Sequence, residues 1–199
     1  MYKHDFILNN KEYCMFYHPY NYTWENERCV EIPIVLQYIN SLITKETNVL
    51  EVGNVFSWYF NWKHDIVDKY DTRDFVIKQD IVDYNPTKKY NIIFSVSTLE
   101  HVGYDELDRD SSKITRAYEH MQSLLSSVGS MIITLPLGYG NVTEILKNNT
   151  LKFTKEYFIH RESLYNDWKQ IDKEKALNIN YGTPYPCANC ICIGIYSKE

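Results

Sequence analysis

Asn48-Val49-Leu50-Glu51-Val52-Gly53 is a β-branched run closed by glycine. It predicts a buried strand whose chain turns sharply at the carboxyl end. Outward from it, Asp65-Ile66-Val67-Asp68, Phe75-Val76-Ile77, Asn91-Ile92-Ile93-Phe94-Ser95-Val96 and Ser130-Met131-Ile132-Ile133-Thr134-Leu135 read as four more strands. Leu151 to Ile159 and Asn189 to Tyr196 are two further candidates. Val30, Ile34, Val35, Tyr38, Ile39, Leu42 and Ile43 recur at helical spacing from Arg28, with Pro33 in the first turn. Ile114, Ala117, Tyr118, Met121, Leu124 and Leu125 predict a second helix, N-capped by Asp110 or Ser111 and ended by Gly129. Strands of near-continuous apolar character that alternate with helices imply a parallel sheet covered on both faces.

Such sheets bind ligands at the carboxyl ends of their strands. The residues there are Gly53, Asp68, Asp80, Ser95 to His101, and Pro136 to Gly140. A glycine lets backbone approach a ligand closely. An acid ending the second strand, Asp68, can accept both hydroxyls of a ribose. Asp80 beside Ile81 suits an exocyclic amine and the flat face of a purine. Each acid also has a local reading: Asp68 and Asp80 as helix caps, Glu100 paired with a backbone amide or with Arg116, His101 as an ordinary loop histidine, and Arg28 with Glu31 as an i, i+3 pair.

Composition narrows the classes. The chain has 199 residues, which is one domain's worth. Twenty-one Lys and Arg against 26 Asp and Glu leave a charge of −5, which argues against nucleic acid as the partner. Seven glycines leave little material for a glycine-rich phosphate loop, and Gly53 stands alone where a nicotinamide dehydrogenase needs G-x-G-x-x-G. The uncharged stretch from Gln122 to Thr143 is broken by serines, glycines and Pro136, so no membrane span is expected. Five cysteines without a signal peptide fit a reducing cytoplasm. Cys187, Cys190 and Cys192 lead into a strand rather than a four-ligand zinc site, so no metal is expected. Residues 1–27, crowded with Tyr, Phe, His and Asn, read as an irregular aromatic-rich arm or cap.

Val49-Leu50-Glu51-Val52-Gly53 resembles the first motif of the class I S-adenosylmethionine-dependent methyltransferases, in a branch similar to the type 11 group. Tyr90 to Val102, with Ser95-Val96-Ser97-Thr98-Leu99-Glu100-His101, resembles that branch's fourth-strand motif, and Gly129 to Pro136 its fifth. The resemblance covers 28–199. It implies a Rossmann-like, doubly wound α/β fold: a seven-stranded, mostly parallel sheet with one antiparallel C-terminal strand and helices on both faces. It implies S-adenosyl-L-methionine as cofactor, with Glu51 and Gly53 against its methionine half, Asp68 on the ribose, Asp80 and Ile81 on the adenine, and Ser95 facing the sulfonium. The family's first motif continues G-x-G. Here Asn54-Val55-Phe56-Ser57 follows, so Val55 replaces the second glycine. Either Asn54 or Ser57 supplies a hydrogen bond in a loop that bends differently, or the cofactor is lost.

The cofactor carries an activated methyl group, so the protein's task is alignment and, where the nucleophile must lose a proton, a general base. His101 is the candidate base, since an ordinary imidazole titrates near neutrality. Tyr104 and Tyr139 are candidates for positioning or proton relay. Family analogy points to a small-molecule acceptor, with O-methylation of a sugar or of a surface-glycan or specialised-metabolite precursor as the first expectation. A small-molecule N-methyltransferase and a non-catalytic binding module are the alternatives.

Overall fold

The computed structural model describes residues 5–198. In chain order they form β1 (Asp5–Leu8), β2 (Lys11–Cys14), α1 (Arg28–Asn40), β3 (Val49–Val52), β4 (Asp65–Val67), β5 (Tyr90–Val96), α2 (Lys113–Leu124), β6 (Leu125–Pro136), α3 (Val142–Lys147), β7 (Lys155–Arg161), β8 (Trp168–Ile171), α4 (Lys173–Ala176) and β9 (Cys190–Ser197). The main sheet has seven strands in the order β4-β3-β5-β6-β9-β7-β8. The pairs β4–β3, β3–β5 and β5–β6 are parallel, and β9 inserts antiparallel between β6 and β7. This is the Rossmann-like sheet that the resemblance implies. A further antiparallel strand, β8, pairs with β7 at the edge. The strand expected at Phe75-Val76-Ile77 is reduced to one bridge, Val67 to Ile77.

Alternation of side chains sorts the core into two layers. Ile92, Phe94 and Val96 of β5 face α1, where Cys29, Val30, Ile32, Val35 and Ile39 pack. Leu50, Val52, Ile93 and Met131 face the other layer, where Ile114, Ala117, Tyr118 and Met121 of α2 pack with Ile145 and Leu146 of α3. Cys190 and Cys192 lie two apart on β9 and point into that second layer, buried like any small apolar side chain. The hairpin β1–β2 in the N-terminal segment, which the sequence reading left irregular, closes the first layer through Phe6 and Leu8.

Two crossovers depart from the alternating pattern. The segments 53–64 and 68–89 contain single 3₁₀ turns and no α-helix. In the first, aromatic side chains do the covering. Phe56 is fully buried, with its ring centroid 4.8 Å from that of Phe94, and Trp62 stacks on Phe94 at 6.1 Å. Large rings bury much area per residue, so a short loop can shield the sheet without a helix. The second predicted helix also ends earlier than expected. It stops at Leu124, and Gly129 sits inside β6, where the register to β5 shifts. A Cβ on Gly129 would lie 2.8 Å from the Tyr90 carbonyl oxygen, so the bulge, not a helix terminus, requires this glycine. The cap of α2 is Ser112 by position, while Asp110 accepts from the Ser112 N–H and hydroxyl. Among the described residues no helix is long and apolar enough to cross a membrane.

Candidate active site

The carboxyl ends of β3, β4 and β5 open into a cleft of about 310 Å³. That is at the small end of the roughly 300–1,000 Å³ typical of small-molecule sites. Gly53, Asp68, Lys69, Asp80, Ile81, Thr98, His101 and Glu106 are on its wall. Gly53 has φ +84°, and a Cβ there would fall 2.2 Å from Thr98 Oγ1. Glycine is therefore demanded twice, by backbone conformation and by the neighbouring strand end.

Four of the seven expected cofactor residues reach this wall, and three do not. Gly53, Asp68, Asp80 and Ile81 line it. Glu51 is fully buried beneath the loop that follows its strand. Its Oε1 accepts the N–H groups of Val55 and Phe56 at 2.8 and 2.7 Å, and its Oε2 lies 2.6 Å from His64 Nε2. It shapes the loop and does not line the cleft. Ser95 is also fully buried and donates to the Val52 carbonyl at 2.8 Å, which pins β5 to β3. Asn54 is turned aside, its amide nitrogen on Asp71 and its oxygen accepting from Ser57. The two side chains named as hydrogen-bond donors to a ligand thus serve each other. Val55, the residue in place of the second glycine, packs with the α1-side core and is absent from the cleft wall.

The two acids on the wall are held rather than loose. Asp68 Oδ2 accepts the Asn54 N–H at 2.9 Å, and its Oδ1 accepts those of Tyr70 and Asp71, each at 2.9 Å. No helix directly follows Asp68, so it caps none; its bonds hold its own loop and the Gly53–Asn54 turn while it stands on the wall. Asp80 caps the 3₁₀ turn Ile81–Asp83 and meets Lys113 Nζ at 2.6 Å and Lys69 Nζ at 3.0 Å. Glu106 shares both lysines. Burial raises the Asp80 carboxyl, but the hydrogen bonds from Lys113 and Lys69 outweigh it and hold the group below the usual range. The two lysines and the second acid, Glu106, come from other segments, and no spacing in the chain announces them.

At the other end of the cleft stands His101, 46% exposed in its side chain. Its Nδ1 lies 2.5 Å from Asp105 Oδ2, and the Tyr139 hydroxyl donates to the same oxygen at 2.8 Å. Burial pushes Asp105 up, yet the bonds from His101 and Tyr139 bring it below the usual carboxylate range. An ionised Asp105 accepts the Nδ1 proton and leaves Nε2 as the free basic nitrogen. Rings of His101 and Tyr139 meet edge-on at 4.9 Å, and those of Tyr104 and Tyr139 at 5.8 Å. The three catalytic candidates are thus brought together, with His101 on the wall and both tyrosines behind it. Asp105 was missed in the sequence, although its spacing of four from His101 was available as a signal.

The residues fit the implied cofactor in outline. A side-chain-free Gly53, the acid Asp68 and apolar Ile81 follow one another along one wall, and Val55 does not obstruct it. No group of three or more His, Cys, Asp or Glu among the described residues is arranged to hold a metal ion.

No protein-family model matches the chain, and no curated protein sequence matches it. Similar folds occur among solved structures. N-methyltransferase NodS from Bradyrhizobium japonicum WM9 in complex with S-adenosyl-L-homocysteine is 11% identical, covering 77% of this chain and 78% of that one, with a TM-score of 0.49. A SAM-dependent methyltransferase from Archaeoglobus fulgidus is 15% identical over 82% of this chain and 91% of that one, also at 0.49. TehB from Haemophilus influenzae is 10% identical over 83% and 62%, again at 0.49. At this level of identity and overlap, none of the three assigns an activity to this chain.

Proposed function

We propose that the chain is an S-adenosylmethionine-dependent methyltransferase of a small molecule, in which the domain 28–199 binds and reacts and the described part of the aromatic arm, 5–27, lies against the first core layer through Phe6, Leu8, Tyr13 and Phe16. One observation carries the reading: Gly53, Asp68, Asp80, Ile81 and His101 share a single cleft wall at the carboxyl rim of a Rossmann-like sheet. The bound cofactor would supply an activated methyl group. The chain's own residues would do the rest. Gly53 gives close backbone approach, Asp68 offers the one acceptor site left on its Oδ2 to a ribose hydroxyl, and Ile81 presents an apolar face to the adenine beside Asp80. His101, aligned by Asp105, takes the acceptor's proton at Nε2. With Val55 turned into the core, the motif departure that favoured a non-catalytic module loses its force.

Calorimetric titration tests the reading. S-adenosylmethionine and S-adenosylhomocysteine should bind, and NAD should not; no heat at millimolar sulfonium ligand overturns it. His101→Ala should cut turnover by about 10²–10⁴-fold, the usual worth of a general base, while cofactor affinity stays near the parent value. The acceptor is a hydroxyl of a sugar or related precursor on family analogy. The nitrogen alternative has a specific residue in its favour, Glu100.

A further inference from the structure

Glu100 follows β5 directly, in the single 3₁₀ turn Leu99–His101. It is 2% exposed, and its Oε2 has no hydrogen-bond partner. Its Oε1 is 3.6 Å from His101 Nε2, too far for a hydrogen bond. The surroundings are acidic. Glu31 is fully buried and satisfied by Arg28 and by the hydroxyls of Ser97 and Thr134. Half-buried Glu27 accepts the Ala188 N–H at 3.1 Å. The Arg28 guanidinium is taken up by Glu31 and the Ser97 carbonyl, and it makes no hydrogen bond to Glu100 among those observed. Burial, then the charge of Glu31, pushes the Glu100 carboxyl well above its ordinary value. Past His101, the Tyr139 ring meets the imidazole edge-on at 4.9 Å and the Tyr181 ring edge-on at 5.1 Å, so an aromatic row leads away from the Glu100–His101 pair.

A buried carboxyl with an empty oxygen, whose nearest cation is already paired with Glu31 and whose neighbour His101 opens an aromatic row, is a site short of one cation. We propose that Glu100 Oε2, with Tyr139 and Tyr181, is a subsite for the ammonium group of a small amine. As an acceptor subsite it rests on the methyl-transfer reading; as a binding site it stands alone. The dull alternative, a glutamic acid that is simply kept neutral, predicts no preference for cations.

The two separate by titrating the full chain with phenethylamine and with its neutral isostere 2-phenylethanol, with and without S-adenosylhomocysteine. The amine should bind at least about tenfold tighter, the worth of one charge-assisted hydrogen bond. Glu100→Gln should abolish that preference and leave S-adenosylhomocysteine affinity unchanged. Equal binding of amine and alcohol, no amine binding at millimolar concentration, or an intact preference in Glu100→Gln each overturns the subsite. Amine binding without any S-adenosylhomocysteine binding keeps the subsite and overturns the methyl-donor reading instead.

Discussion

Glu51 and Glu100 are both buried glutamates at the carboxyl rim of the sheet, and they are opposites. Glu51 accepts two backbone N–H groups and faces His64, so its carboxylate has partners on both oxygens. Glu100 leaves one oxygen bare, with Glu27 and Glu31 nearby. The first glutamate holds a loop in shape, and its charge is compensated inside the fold. The second leaves a demand that the fold does not meet. Buried polar groups are almost always satisfied, so an unmet one marks a place where something other than the protein completes the structure. On the proposed reading, the rim at Glu51, Asp68 and Asp80 is held by donors of the fold itself, while Glu100 keeps one oxygen unmet.

The largest expected effect is on stability at the held part of the rim. Glu51→Ala should destabilise by about 3–5 kcal/mol, because the buried Phe56 N–H, the half-buried Val55 N–H and His64 lose their acceptor at once. Urea denaturation measures it, and a loss below about 1 kcal/mol would erase the contrast between the two glutamates. Glu100→Gln should do the reverse at neutral pH, leaving stability unchanged or raising it by about 1 kcal/mol. The sign follows from linkage. A carboxyl raised in the folded state favours folding fully below its ordinary value of 4.5, and this is lost as pH rises toward the raised value. The advantage of Glu100→Gln over the parent should therefore grow with pH from about 4.5 upward, with Glu27, Glu31, Arg28 and His101 as the charged or titratable neighbours. Melting temperatures of both proteins at about pH 5 and about pH 8 read it directly. The smallest effect belongs to Lys69, which is 38% exposed and shares its carboxylates with Lys113. Lys69→Ala should cost less than about 1 kcal/mol, and less again in high salt.

Much of the architecture was legible in local pattern. The run from Val49 to Gly53, the strand from Asn91 to Val96 and the helix around Ile114 to Leu124 carry apolar periodicities strong enough to stand alone. What failed was local too. Phe75-Val76-Ile77 has the composition of a strand but makes one bridge at the sheet edge, and Gly129 looks like a helix stop but relieves a bulge. Both outcomes depend on which backbone lies alongside, and composition does not encode that.

The sequence by itself determined the order and type of the main elements, the glycine and acids at the strand ends, and the clustering of His101 with hydroxyls and acid in one loop. Only the tertiary structure decided what those acids do. Asp68 and Asp80 reach the cleft while Glu51 is drawn under its own loop, and Glu100 keeps one oxygen without a partner. The reason is physical. Apolar periodicity is a property of neighbours along the chain, whereas a carboxylate's role is set by the donors around it. Those donors (His64, Lys113, Arg28, Thr134) come from segments that only the packed sheet brings together.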